Sequence, residues 1–332
     1  MNTYPHSCMI SHDCSRMESE DMRKIALAVP ALILALGLTG CSDPSDSGDQ
    51  SGSATSGATE STDGAEGFDF SKLTKVDEVA ALVPEAVSSA GVLRNAASTD
   101  YPPGEFLADD GQIPIGYDVD IIKALALVMG LEDGTTSTQG FDTIIPALGT
   151  KFDVGASSFT ITPERINEVN MVSYLNVGSS YGVAAGNPSG FDPSDPCGQI
   201  IGVQTGTFQF DYVHELSEKC VEDGKEPIDI KPHDLQSDVT TKVVGGQYTA
   251  TFADAPVVGW ATVQTDGQIE EVGEVVESLP QGIAIAKTDE ELTNAVQAGM
   301  QYLMDEGYLT EILSFYGSEG AGLDKAEINP AS

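Results

Sequence analysis

The stretch GFDTIIPALGTKFDVGASSFTITPERINEV, residues 140–169, decides how the rest of the chain is read. Phe141, Ile144, Ile145 and Leu148 recur at helical spacing, the period that gathers apolar side chains on one helix face. Pro146 is tolerable in that run only near a helix start. Asp153–Ser157 reads as a strand, and Thr162 before Pro163 reads as an N-cap with proline at the first helical position. The unit is therefore helix, strand, hydroxyl-rich turn, helix. The turn carries Ser157, Ser158, Thr160 and Thr162 and leads to free backbone N–H groups, where the helix dipole favours an anion. Arg165 falls in the first turn, where that dipole disfavours a cation. It needs a partner. A guanidinium fork matches a carboxylate in bidentate fashion, and on spacing alone a surface Asp serves equally well.

Working outward, Val92–Ala97 reads as a strand, and the apolar stripe of Val119–Met129 as a helix ending at Gly130. A second series begins near residue 199: strands at Gln199–Val203, Ile228–Ile230 and Ala250–Ala253 alternate with helices at Thr207–Cys220, around Val239–Val244 and at Ala255–Val263. Two helices follow, roughly Asp289–Asp305 and Tyr308–Tyr316. Such alternation predicts an α/β protein with mostly parallel sheets covered by helices. Two series without a low-complexity break predict two lobes, with a ligand between them where strand ends meet.

Asp254, in FADAP, follows an apolar strand and precedes a helix. An acid there either caps the helix or receives an ammonium group. Tyr101, Phe141 and Phe208 stand near strand ends, where an aromatic ring walls an organic ligand, stacks on a cation or simply joins the core. From Cys41 onward the only histidines are His214 and His233, without metal-ligand spacing or a Ser-His-Asp or Cys-His pattern. GVQTGT lacks the lysine and spacing of a phosphate loop. No cofactor or metal is expected.

Ile25–Thr39 is an uninterrupted run of apolar or small residues behind Arg23 and Lys24, the plan of a secretory signal and shorter than the roughly 20 residues of a membrane span. Residues 22–40 are therefore expected to be removed. Residues 1–21 carry the wrong charge for a signal n-region, which suggests that translation starts at Met22 and that Cys8 and Cys14 belong to no finished protein. Residues 42–67 contain no large apolar side chain before Phe68 and cannot bury enough surface to order themselves, so residues 41–70 are expected to form a tether. As a flexible coil this would span about 25–30 Å. The first 40 residues hold three Lys+Arg and four Asp+Glu, so the total formal charge of −37 becomes −36 beyond them, with 12 basic residues against 48 acidic ones. That balance opposes binding to nucleic acid or to an anionic membrane surface. Cys197 and Cys220 are the cysteines left in the folded body, and in an exported protein they are expected to pair.

With these pieces in order, residues 88–317 resemble the bacterial extracellular solute-binding proteins of the polar amino-acid group, which deliver ligand to ABC importers. STDYPPGEF, GYDVDIIKALALVMGL, the opening stretch, IIGVQTGT, FADAPVVGWA and MQYLMDEGYLTEILSFYG occur in family order. The resemblance implies a two-lobe, type II periplasmic-binding-protein-like fold, with 88–183 and 284–317 as lobe 1, 184–283 as lobe 2 and 318–332 as a C-terminal tail. It implies that Arg165, with Ser158 and Thr160, clamps a ligand α-carboxylate, and that Asp254 receives the α-ammonium. Tyr101 and Phe141 would wall the side-chain pocket from one lobe, Thr207 and Gln204 from the other. Hinges are expected near Tyr181–Gly186 and Gln281–Ala286. Leu38-Thr39-Gly40-Cys41 looks like a lipobox, implying an acylated Cys41, a membrane anchor on the outer face of the cell membrane, a monomer and an ABC permease as partner. Ser98, Gln204 and Phe208 depart from the residues of several relatives, which weakens the case for a strongly cationic ligand. The same fold also serves dehydratases, for which Glu105 or Glu164 is the acid to consider, and ligand-sensing receptors.

Overall fold

The computed structural model describes residues 67–330. The expected leader, Cys41 and most of the expected tether lie outside the described residues. In chain order the elements are α1 (Asp77–Ala80), α2 (Glu85–Ala90), β1 (Val92–Ala97), β2 (Asp100–Tyr101), β3 (Glu105–Leu107), β4 (Pro114–Ile115), α3 (Tyr117–Val128), β5 (Asp133–Thr138), α4 (Phe141–Ala147), β6 (Val154–Gly155) and α5 (Pro163–Glu168). They continue as β7 (Val169–Ala184), β8 (Ile200–Gln204), α6 (Phe208–Glu222), β9 (Asp229–His233), α7 (Gln236–Val244), β10 (Ala250–Asp254), α8 (Ala255–Gln264), β11 (Ile269–Ala286), α9 (Glu290–Asp305) and α10 (Tyr308–Phe315).

One eight-stranded sheet, ordered β5-β1-β6-β11-β7-β10-β8-β9, runs through the molecule. Parallel pairs β1/β5 and β1/β6 build one end, and β8/β10 and β8/β9 the other. Between them β7 and β11 pair antiparallel almost throughout, from Ile269 opposite Ala184 to Ala286 opposite Val169. Each long strand serves both lobes. β11 meets β6 through Ala284 and Ile285, while β7 meets β10 through Ser179 to Val183. The change of lobe therefore falls between Asn176 and Ser179 on β7 and between Val276 and Gln281 on β11, where the register is broken by bulges. This is earlier than the expected hinges at Tyr181–Gly186 and Gln281–Ala286, and earlier than the boundary at 183/184. Tyr181 already pairs with Phe252 of lobe 2, and Ala284 with Gly155 of lobe 1. Both strands interleave polar and apolar residues along their length, in VNMVSYLNVGSSYGVA and IEEVGEVVESLPQGIAIA, so no single position in the sequence marks the exchange of neighbours.

The lobe 1 core joins Leu93, Ile121, Ile122, Leu125, Tyr174, Ile283 and Val296, all fully buried. A separate cluster in lobe 2 joins Ile201, Val203, Val213 and Phe252. Lobe 1 also takes up chain at both ends that was expected to lie outside it. Phe68, 4% exposed, sits edge-on to Phe70 and Tyr308, so the expected tether ends before residue 68, at the first large apolar side chain. The segment expected as a tail returns along β7: Leu323 N–H donates to Tyr174 O, Ser173 N–H to Glu327 O, and Asn329 N–H to Met171 O. It covers the β7 edge that β10 leaves unpaired, as exposed edges require. Among the described residues no helix is long and apolar enough to cross a membrane.

Cys197 and Cys220 form a disulfide, with their Cα atoms 5.6 Å apart, tying the chain before β8 to the end of α6. Closing a 23-residue separation restricts the unfolded chain by about 3 kcal/mol on loop entropy. A Cys197→Ser/Cys220→Ser double variant is expected to melt on the order of 10 °C lower by calorimetry, at that destabilisation and this size. An unchanged melting temperature would remove the bridge as a stabilising element.

Candidate functional site

The site lies where strands of both lobes end. β1 ends before Ser98, β2 carries Tyr101, β6 ends before Ser157 and Ser158, β8 ends at Gln204 and β10 at Asp254. The lobes touch here through four hydrogen bonds. Gln204 Nε2 donates to Ser98 Oγ (3.1 Å), Ser237 N–H to Asp100 Oδ2 (2.9 Å), Asp254 N–H to the Tyr101 hydroxyl (3.0 Å) and Arg165 Nη2 to Gly206 O (3.1 Å). Phe106 of β3 and Trp260 of α8 add a ring contact at 5.5 Å. The enclosed cavity measures about 10 Å³, the volume of a single water and far below the roughly 300 Å³ at which small-molecule pockets begin. Any organic ligand must therefore enter with the lobes further apart. The cavity is lined by Tyr101, Phe141, Ser158, Thr160, Arg165, Gln204 and Thr207, joined by Phe208 and Gln209.

Thr162 caps α5, accepting from Arg165 N–H at 3.3 Å, and so fixes where the Arg165 side chain leaves the helix. The guanidinium donates to Thr160 O (2.7 Å) and Gly206 O and lies 5.5 and 5.3 Å from the Phe141 and Phe159 ring centres. Of its five N–H donors, these bonds use two. Burial lowers the Arg165 pKa to about 10, against the opposing fields of Asp211 and Asp254, so it remains a cation at neutral pH. On its outer side opens a wider groove of about 720 Å³ between the starts of α5 and α6.

Asp254 sits at the N-cap position of α8, yet its side chain makes no capping bond. Its oxygens accept instead from Gln209 Nε2 (2.6 Å) and Gln281 Nε2 (2.7 Å), and it is 5% exposed. Burial raises its pKa to about 7, while the two glutamines and Arg165 pull the other way. The capping alternative thus has no side-chain bond behind it. Gln209 and Gln281 carried no signal in the sequence: one lies in the first turn of a helix and the other inside a strand, and only the fold aims both at one carboxylate.

Other expected ligand residues already have protein partners. Thr207 caps α6 by accepting from Phe210 N–H (3.1 Å), and its hydroxyl donates to Gln204 O (2.8 Å). Gln204 Nε2 is shared between Ser98 Oγ and Asp234 O. Ser158 donates its N–H to Asp118 Oδ2 (2.7 Å), and its hydroxyl lies 3.0 Å from Glu105 Oε2. Glu105 and Asp118 are fully buried behind the cavity. Glu164, the other acid considered for a dehydratase, lines the outer groove.

The profile of the bacterial extracellular solute-binding proteins, family 3, matches residues 93–319. The chain belongs to this family. Among individual members, arginine-binding protein ArgT of Corynebacterium glutamicum is 37% identical over 257 residues, covering 76% of this chain and 83% of that protein. Two solved structures of an ancestral arginine-binding protein cover 68% of the chain. The one bound to arginine has a TM-score of 0.63 at 27% identity over 98% of its own length. The one bound to glutamine has a TM-score of 0.62 at 28% identity over 97%. The fold is the two-lobe periplasmic-binding-protein architecture of this family.

The state of Asp254 makes one expectation independent of any ligand. Its folded pKa of about 7 lies above the ordinary 3.8. The charged form is thus disfavoured on folding, and the associated stability is complete below pH 3.8 and lost as pH rises through 7. The stability of an Asp254→Asn variant minus that of the wild type should accordingly grow between pH 4 and 7, by up to about 1.4 kcal/mol per pH unit, and level off above it. Scanning calorimetry across that range reads the difference; a flat one would mean that Asp254 is not desolvated as described.

Proposed function

We propose that this chain is the extracytoplasmic binding subunit of an ABC importer and that it captures a free α-amino acid between its lobes. The observation that carries this reading is the placement of one partly buried cation, Arg165 on lobe 1, and one buried acid, Asp254 on lobe 2, about a common cleft, close enough for each to shift the other's pKa. A zwitterion carries the complementary pair, so its carboxylate on Arg165 and its ammonium on Asp254 would draw the lobes together. The β7 and β11 crossing supplies the hinge for that motion. Thr160 supports the carboxylate end, Tyr101 and Phe141 wall the side chain, and Gln204 and Thr207 shape the opposite face.

Arginine is the first ligand to test. The sequence departures at Ser98, Gln204 and Phe208 argued against a strongly cationic side chain, but the relatives named above lean the other way, and the chain's excess of acid raises the local concentration of cations. The lipobox-like Leu38–Cys41 supports a lipid-anchored, palmitoylated lipoprotein on the outer face of the cell membrane, handing ligand as a monomer to its permease.

A thermal-shift screen of the twenty amino acids and cystine tests the reading, because ligand binding stabilises the folded state by mass action. A rise of about 2.7 kcal/mol in stability is expected at 100 times the Kd, with arginine among the responders; no response across the panel would refute the assignment. In calorimetric titrations of the best responder, Arg165→Ala should weaken binding by about 3–5 kcal/mol, because the ligand carboxylate is left buried and unpaired. Unchanged affinity would move the carboxylate site elsewhere.

A further inference from the structure

Glu105 and Asp118 are both 0% exposed, and none of the functions described above uses them. Glu105 stands on β3 and Asp118 in the first turn of α3. Ser157 Oγ donates to Glu105 Oε1 at 2.7 Å, and Ser158 Oγ lies 3.0 Å from Oε2. Asp118 accepts the Tyr174 hydroxyl on Oδ1 at 2.5 Å and Ser158 N–H on Oδ2. Both acids thus hold Ser158, Glu105 through its hydroxyl and Asp118 through its N–H. The charged and titratable groups facing them are Tyr117 on α3, Tyr174 on β7, Tyr101 on β2 and Asp254 on β10. Among the described residues no Lys, Arg or His bonds to either acid.

Two ionised carboxylates do not share a dry site without a cation. Asp118 holds an N–H and a phenolic O–H, the donors that sustain a negative charge. Glu105 faces hydroxyls, which reverse direction freely, and the other acid. The proton therefore resides on Glu105. Burial, followed by the field of Asp118, raises the Glu105 pKa well above the carboxylate range, whereas Asp118, raised by burial and eased by Tyr174 and Ser158, reaches only about 6.

What this pair grips is the turn that opened the sequence analysis. Ser158 has φ +50°, a left-handed conformation unusual for a residue with a side chain. Its neighbours are closed around it. A Cβ on Gly104 would stand 2.5 Å from Ser158 Oγ, and one on Gly116, at φ +125°, would stand 2.2 Å from Gly104 O. Ser157 Oγ accepts Ser98 N–H at 2.9 Å, tying the same turn to the end of β1. Two residues beyond Ser158, Thr160 receives the Arg165 guanidinium on its carbonyl.

We propose that Glu105 and Asp118 are positioning residues, a carboxyl pair sharing one proton that holds Ser157 and Ser158 in this turn and thereby aims Thr160 and Arg165 into the cleft. Removing the proton sets two buried charges against each other and loosens the turn, so the hold fails at alkaline pH. The effect on affinity rests on the amino-acid reading; the proton and the effect on stability do not.

The test compares the full chain with Glu105→Gln, whose amide supplies a donor and an acceptor without titrating, and with Glu105→Ala, which supplies neither. Infrared spectra in D2O at pH 8.5 without ligand, where groups titrating near 6 and 7 are ionised, should show a protonated carboxyl C=O band in the wild type that is missing from Glu105→Gln. The wild-type melting temperature should fall more steeply than that of Glu105→Gln as pH rises from 5 into the alkaline range. Titration with L-arginine should give near-wild-type affinity for Glu105→Gln at pH 7.5 and at least tenfold weaker binding for Glu105→Ala. As pH rises, wild-type affinity should fall about tenfold further than that of Glu105→Gln; the ligand's own ammonium titrates equally in both titrations and cancels. Absence of the wild-type band, or superimposable pH profiles of the two proteins, would overturn the proposal. If no amino acid binds the wild type, the function proposed above fails, while the band and the melting profiles still decide this inference.

Discussion

The antiparallel ladder between β7 and β11 is the constraint on which the rest of the structure hangs. Both lobes build their parallel strands onto opposite ends of this one pair, β6 against β11 and β10 against β7. Two consequences follow. The carboxyl ends of β1, β6, β8 and β10 are brought to a common gap, so the residues just after them meet although they are up to about 150 positions apart in sequence. And the lobes join through a short crossing, near Asn176–Ser179 on β7, opposite the part of β11 from Val272 to Gly282 where the ladder register shifts. Lobe 1 is further stiffened by Phe68 at its front and by residues 322–329 along β7.

Within the gap, electrostatics follows from burial. A single guanidinium on aromatic rings and a single carboxylate between two glutamine amides are each pushed toward neutrality by desolvation, and each is pulled back by the other's field. Neither is fully compensated by protein: Arg165 bonds two neutral carbonyl groups and Asp254 two neutral amides. On the proposed reading, this cation and anion on opposite walls are matched by a dipolar guest. The large negative charge of the whole chain acts at longer range and under screening, so it influences approach rather than the fit.

Much of this was legible in the sequence because it depends on local rules. The Thr162–Pro163 cap, the helix after Phe141 and the alternation of strand and helix each follow from neighbouring residues, and the expected ligand residues, Asp254 through Gln209, meet at one cavity. What was not legible depends on distant pairing. No local pattern says where a long strand changes neighbours, so the expected hinges lie several residues beyond the observed crossing. Likewise Gln209 and Gln281 are ordinary in their own segments and acquire a role only when the fold points both at Asp254. Glu105 and Asp118 left a faint trace, as acids set among residues that read as buried, in PPGEF and GYDVDII. The small sheet β2-β3-β4 left no signal because strands of two or three residues carry no period.

The four hydrogen bonds across the cleft bear on selectivity in a way the charged pair does not. Ser237 to Asp100 and Asp254 N–H to Tyr101 join one lobe directly to the other, and the Phe106–Trp260 contact adds to them. These contacts define a lobe separation that the protein itself favours. A guest that fits that separation keeps them and adds its own interactions, whereas one that holds the lobes wider forfeits them. On the proposed reading, the ligand's backbone charges meet Arg165 and Asp254, and the cross-lobe contacts would turn side-chain length into a free-energy difference. A ligand shifts the open–closed balance only by its differential affinity for the two arrangements.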